Sequence, residues 1–211
     1  TDITEAVIGY DGIAFAQDKS NGSFDISRKN IALAVAAEVP SKDGKSLIAN
    51  PYKKWSDIDS SLPNREIIVY GPPKSSGTRD AFEELVMQAT LKKVSAYTDL
   101  YNADKKANKR YKAYSVIRTD GVYVPSGEND NLIVKKLTKN KDAFGVFGFS
   151  FLEENSDKLV GSSINGVKPT PEAISSSKYP VSRSLYFYTK NSHKKEVPAL
   201  NDYLKMFMSE N

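Results

Sequence analysis

Residues 66–93, EIIVYGPPKSSGTRDAFEELVMQATLKK, decide the fold class. The stretch opens with a β-branched apolar run at 66–70, and Gly71-Pro72-Pro73 cuts it off, since proline cannot donate to a central ladder. A Ser/Gly/Thr segment follows. Phe82, Leu85, Val86 and Ala89 then recur on one helical face, while Asp80, Glu83 and Glu84 fall near the first turn, where the macrodipole favours acids. The spacing predicts a strand at 66–70 and a helix from about Arg79 to Lys93, joined by a short loop.

The same grammar repeats outward. Residues 12–16 (GIAFA) read as a buried strand. Residues 25–38 read as a helix capped by Asp25 or Ser27 and stopped by Pro40. Residues 121–124 read as a strand, and 127–137 as a turn leading into a helix capped by Asn129 or Asp130. AFGVFGFSF (143–151) reads as a buried strand with glycines that admit close backbone approach, and SLYFYT (184–189) alternates as a strand does. Pro198 opens a last helix with Leu200, Tyr203, Leu204, Phe207 and Met208 on one stripe. Strands and helices interleave throughout, so the class is α/β.

Bulk numbers exclude more than they assign. The chain has 211 residues, 39% hydrophobic and 27% charged, with net charge +4 and no cysteine. Thiol nucleophiles, disulfides and cysteine zinc sites are therefore out. The single histidine, His193, lies in the polar run NSHKKE, which argues against a Ser-His-Asp triad or a histidine metal cluster. No apolar run approaches the roughly 18 residues of a membrane span, and no direct membrane insertion is expected. The first residue is Thr1, with no initiator Met and no signal-like segment, so the expectation is that the true N-terminus lies outside this sequence. The basic run KKANKRYK (105–112) admits a nucleic-acid reading but lacks interleaved glycine-aromatic motifs, and reads more simply as a solvated helix or loop.

The segment 75–79, SSGTR, is chemically suited to an anion. The first N–H groups of a helix lack internal partners, and the dipole adds about half a positive charge there. Gly77 lets backbone approach a ligand with no Cβ in the way. Ser75, Ser76 and Thr78 offer hydroxyl donors, and Arg79 can fork two N–H groups onto a tetrahedral oxyanion. The competing reading is a plain Ser-capped helix, with Arg79 paired to a helix-face acid such as Glu83. A nucleotide P-loop fails, because five residues separate Gly71 from Gly77 and no lysine precedes Thr78. A nucleophile elbow fails for want of G-x-S-x-G and a histidine partner.

GPPKSSGTRDAFEEL resembles the Ser-Gly-Thr-Arg segment of periplasmic phosphate-binding proteins that serve the high-affinity ABC phosphate transporter. VIGYDGIAFA (7–16), KKWSDID (53–59), IRTDGVYVPSGENDNLIV (117–134), FGVFGFSFLEEN (144–155) and PVSRSLYFYTK (180–190) agree in the same order. The resemblance implies the type II periplasmic-binding-protein fold, two lobes closing over inorganic phosphate without chemistry and releasing it to a membrane permease. It further implies a periplasmic monomer with no cofactor, no metal and no nucleic acid. Carried over by position, Ser76, Gly77 and Thr78 match the phosphate donors, with Ser75 a further hydroxyl candidate beside them, and Arg79 is the candidate guanidinium. Many relatives instead place an arginine a few residues before the Ser-Gly-Thr, where this chain has Gly71, Pro72, Pro73 and Lys74. Arg118 and Asp130 lie in segments bordering the cleft and are secondary candidates, against a surface ion pair and a helix N-cap. By the same resemblance, residues 17–182 form one whole lobe, the second. Residues 1–16 and 183–211 are then hinge strands and remnants of the first, whose own phosphate ligands would precede Thr1. Two other classes stay open. A phosphotransfer or phosphohydrolase enzyme would need metal or base carboxylates from scattered acids such as Asp57, Asp59, Glu128 and Asp130. A basic interaction module would rest on 105–112.

Overall fold

The computed structural model describes residues 2–106, 111–127 and 129–209. In chain order its strands are β1 (Ile3–Asp18), β2 (Asp25–Ile26), β3 (Glu38–Pro40), β4 (Leu47–Ala49), β5 (Val69–Gly71), β6 (Tyr123–Pro125), β7 (Phe144–Gly148), β8 (Leu159–Gly161), β9 (Ser163–Ile164) and β10 (Ser182–Lys190). The main sheet runs β10-β1-β7-β5-β6, with β8 also on β1, and β2–β9 and β3–β4 form two small pairs. β5 is parallel to both β6 and β7, whereas β1 runs antiparallel to β7, β8 and β10.

Helical crossovers make those parallel pairs possible. From β5 the chain enters a helix at Gly77 that continues through Glu83–Gln88 and Ala89–Leu91; Ser95–Lys106 follows, and the chain then returns as β6. From β6 the helix Asp130–Lys139 leads to β7, on the other side of β5. The chain therefore winds one way and then the other from β5. In open α/β sheets, ligands bind outside the carboxyl ends of the strands at such a reversal.

Alternation along β1 sends Phe15 to one side of the sheet and Ala14 and Ala16 to the other. On the first side Phe15, Val69, Phe144 and Val146 pack against Ile31, Val35, Phe82 and Val86. Phe15 stacks on Phe144 at 4.5 Å, and the fully buried Trp55 meets Phe144 edge-on at 5.2 Å. On the second side Ala14, Ala16 and Phe147 pack against Ile133, Val134 and Leu137. β1 changes character along its length: 13–17 are buried, whereas 3–12 pair with β10 as a largely exposed ribbon. Val7, Tyr10, Leu185, Tyr186 and Tyr188 are exposed on that ribbon. Phe187 stacks on Phe207 of the last helix, Ala199–Phe207, at 5.7 Å.

Four expectations shift. The strand placed at 66–70 is Val69–Gly71, and Gly71 belongs to its ladder with β6 instead of ending it. The helix placed at 25–38 is shorter, Arg28–Val35. Ser27 Oγ caps it by accepting from the Asn30 N–H at 3.0 Å, Asp25 and Ile26 are drawn into pairing with β9, and Pro40 lies in a strand. Tertiary pairing overrides helix propensity at both ends. The strand placed at 143–151 ends at Gly148, where its ladder with β1 runs out at Ile13, and Phe149–Glu154 is helical. The helix placed from Arg79 starts two residues earlier and adopts π geometry over Glu83–Gln88. In the basic run, Lys105 and Lys106 end a helix, and 107–110 lie outside the described residues.

Candidate anion-binding site

Parallel pairing brings the ends of β5, β6 and β7 to one edge of the sheet, at Gly71, Pro125 and Gly148. The loop after β5 is closed by its own backbone: the Ser76 N–H donates to the Pro73 carbonyl at 3.0 Å. Ser76 is extended (φ −86, ψ 132), its Oγ accepts from the Thr78 N–H at 3.2 Å, and its carbonyl accepts from the Arg79 N–H at 3.0 Å. This is N-cap geometry. Gly77 is exposed, and a Cβ built on it would meet no atom within 4 Å. Among the described residues, neither the Gly77 N–H nor the Thr78 hydroxyl has a hydrogen-bond partner. Ser75 and Lys74 beside them are exposed. An arriving anion thus meets one open amide, one amide held loosely by a hydroxyl, and the hydroxyls of 75–78.

Arg79 points elsewhere. It is only 3% exposed. Its Nε donates to Glu83 Oε1 at 2.7 Å, four residues on, and Nη1 donates to the Pro72 carbonyl at 3.3 Å. Its guanidinium lies 4.6 Å above the Tyr123 ring, a cation–π stack, and the Tyr123 hydroxyl donates to that same Pro72 carbonyl at 2.8 Å. Gly71 makes this fit possible, because a Cβ there would come within 2.2 Å of the Tyr123 hydroxyl. Burial pushes the Tyr123 phenol up to about 12, against the pull of the Arg79 charge. Arg79, Tyr123, Lys74, Arg118 and Pro125 help line a cleft of about 370 Å³ beside β6.

Arg118 lines that cleft with its guanidinium fully engaged. Nε donates to Asp120 Oδ1 at 2.8 Å, and Nη1 to the carbonyls of Tyr52 at 2.9 Å and Ala34 at 3.3 Å. Nη2 donates to the Asn50 carbonyl at 3.3 Å and to Asp120 Oδ2. A guanidinium carries five N–H donors, and all five are used here. The Arg118 hydrogen bonds hold the Asp120 carboxyl well below the usual carboxylate range. Asp130 is the first residue of its helix, while Asn129 is the cap, accepting from the Asn131 N–H at 3.0 Å. Burial raises the Asp130 carboxyl, opposed by a hydrogen bond from the Gly148 backbone N–H at the end of β7.

Two side chains at this edge were missed by the sequence reading. Ser126 donates its N–H to the Gly71 carbonyl at 2.9 Å, and Lys136 donates to Ser126 Oγ at 3.1 Å while lying over Tyr70. A serine just past a strand and before a helix was the only available cue. The scattered acids do not gather. Asp57 accepts from the Lys53 and Lys54 N–H groups, Asp59 accepts from Ser61, and Glu128 lies outside the described residues. Among the described residues no group of three or more His, Asp or Glu side chains is placed to hold a metal ion. His193 opens a one-turn helix at the far end of the ribbon. No helix is long and apolar enough to cross a membrane among the described residues.

A family model described as a PBP superfamily domain matches residues 1–211. The chain is 28% identical over 211 residues to a protein named phosphate-binding protein PstS from Staphylococcus epidermidis, covering 98% of this chain and 52% of that one. It thus spans about half the length of the curated relatives it matches. Among solved structures it is similar to a possible phosphate binding protein from Planctomyces limnophilus, with a TM-score of 0.70, 26% identity, and coverage of 99% of this chain and 63% of the other. A putative phosphate ABC transporter substrate-binding protein from Clostridium perfringens, solved with bound phosphate, shares the fold at a TM-score of 0.60 and 22% identity, covering 99% of this chain and 66% of the other.

Proposed function

The chain belongs to the PBP superfamily, and from that premise we propose that it is part of the phosphate-capturing component of an ABC phosphate transporter. In this reading inorganic phosphate is held between two lobes outside the cytoplasm and passed to a membrane permease, with no bond made or broken. The observation that carries it is the open helix start at Gly77, placed at the carboxyl edge of the sheet where the winding reverses. The Gly77 and Thr78 amides and the hydroxyls of Ser75, Ser76 and Thr78 are the donors. The half-buried Asp130 carboxyl, which desolvation raises above its ordinary value, sits at the same edge beside the Gly148 N–H and is the candidate acceptor facing the anion. Residues 13–182 are read as one lobe, its start moved back from 17 because 13–16 pair with β7 inside its core. The β1–β10 ribbon, 3–12 with 182–190, is read as the hinge leading toward the other lobe.

The test is a phosphate titration of ¹⁵N-labelled chain, read at the amides of 76–78. Saturable shifts with phosphate, absent with chloride at equal ionic strength, support the reading. Shifts that track ionic strength alone, or that appear only elsewhere, refute it. Turnover of a generic phosphate ester with magnesium would instead favour the enzyme.

A further inference from the structure

We infer that Arg79 and Tyr123 are positioning residues for the anion turn, acting through one oxygen, the carbonyl of Pro72; the inference rests on the phosphate reading above. Pro72 begins the loop that ends at Gly77, and it has no N–H with which to anchor itself. Its carbonyl is instead held from two directions, by Tyr123 Oη at 2.8 Å and Arg79 Nη1 at 3.3 Å. The two donors are themselves locked together, the guanidinium resting 4.6 Å above the ring. Glu83 fixes the third side of the clamp through Arg79 Nε at 2.7 Å.

The clamp fits the chain's own sequence. Gly71 leaves the space that the Tyr123 hydroxyl occupies, so β5 and β6 meet through a tyrosine reaching under the loop. Arg79 sits in the first turn of the helix whose start it stabilises, so the loop's beginning is tied to the helix after its end. Ser76 then closes the turn by donating to the Pro73 carbonyl, and among the described residues the Gly77 N–H, on an exposed residue, is left without a partner. A guanidinium with Nε and Nη1 so engaged, paired with a carboxylate and almost wholly buried, acts as a fixed strut. It does not lie at the surface where the anion lands.

The experiment compares the wild-type chain with Tyr123→Phe, Arg79→Met and a control, Tyr97→Phe. The control deletes the hydrogen bond of another buried tyrosine, to the Glu38 carbonyl at 2.6 Å, remote from the loop. Each is titrated with inorganic phosphate at several ionic strengths, read at the amides of 76–78, with thermal unfolding in parallel. Tyr123→Phe keeps the ring and the fold and is expected to weaken phosphate binding about three- to tenfold, the scale of one hydrogen bond. Arg79→Met is expected to weaken it about tenfold or more with the ionic-strength dependence unchanged. Tyr97→Phe should lose stability without losing affinity. Equal affinities for Tyr123→Phe and the control would overturn the positioning role while leaving the phosphate reading intact. A flattened salt dependence in Arg79→Met would overturn it too, by showing that the guanidinium itself meets the anion. No phosphate shift in the wild type would overturn the phosphate reading and this inference with it.

Discussion

Replacing Arg118 with methionine isolates what its guanidinium does. Methionine keeps an apolar stem of similar length in the buried channel and removes all five donors. The carbonyls of Ala34, Tyr52 and Asn50 then lose a charged partner in a site only 3% exposed. A buried acceptor left without its donor costs about 1–3 kcal/mol, and partial access of water at Tyr52 argues for the lower end, about 1 kcal/mol each. The Asp120 pair adds little, at most about 1 kcal/mol, because that carboxylate is 41% exposed and solvent screens it. The expected loss is about 4 kcal/mol, a large part of the total stability of an ordinary domain. Urea unfolding followed by the fluorescence of Trp55, the chain's one tryptophan and fully buried, reads this directly. A loss below about 1 kcal/mol at an unchanged denaturant slope would refute the reasoning, since it would mean the three carbonyls find other partners.

Ser76→Ala should cost about 0.5–2 kcal/mol in the same assay, as the Thr78 N–H loses its cap. Gly71→Ala forces the Tyr123 hydroxyl off the Pro72 carbonyl and should destabilise by about 1–3 kcal/mol, the range for overpacking, with shifted amides at 76–78 in the NMR spectrum. Asp120 titrates below its unfolded value, so the stability it adds is complete above about pH 4 and is lost as pH falls through the depressed folded value. Asp120→Asn should therefore flatten that part of the acid-unfolding profile and leave the neutral range comparatively flat. The wild-type chain should bind phosphate no tighter than roughly millimolar, because one helix start open to water supplies about 4 kcal/mol at best; micromolar binding by calorimetry would contradict it.

How much of this was legible in the sequence follows from the range of the forces involved. Local signals served well wherever the deciding contact was local. Ser76 and Asn129 cap the helices that their hydroxyl and amide chemistry implied, and Pro198 opens the last helix. The apolar run at 12–16 is buried for the same reason, since its side chains can satisfy only a two-sided core. Signals failed where a distant partner decided. Nothing in DISRKN says that Asp25 and Ile26 will pair with Ser163 and Ile164, and nothing in FGFSF marks Gly148 as the last rung against Ile13. The five bonds of Arg118 reach carbonyls 66 to 84 residues away and the side chain two residues on, and no periodicity encodes that set. Glu83, at i+4 from Arg79, was the one partner readable in advance, because helical spacing alone puts those two side chains within reach.

The same distinction explains why the anion turn can be both rigid and open. A loop that leaves the Gly77 amide open is held at its tip only by the Ser76 N–H to Pro73 bond and the Thr78 N–H to Ser76 Oγ bond, so much of its order has to come from beneath. Here it comes from a carbonyl that water cannot easily compete for, held by a phenol and a guanidinium that are both buried. Burying that cation is tolerable only because Glu83, the Tyr123 ring and the Pro72 oxygen together replace its hydration. The Arg79–Glu83 pair is close to neutral as a unit, so it lends the turn geometry more than field. On the proposed reading, attraction of the anion is then left to the helix start and the hydroxyls at 75–78, groups without formal charge, beside the exposed Lys74. Neutral donors in fixed positions select by oxygen geometry and become strong only when water is excluded from the other side. A surface built this way gains its affinity from what closes over it.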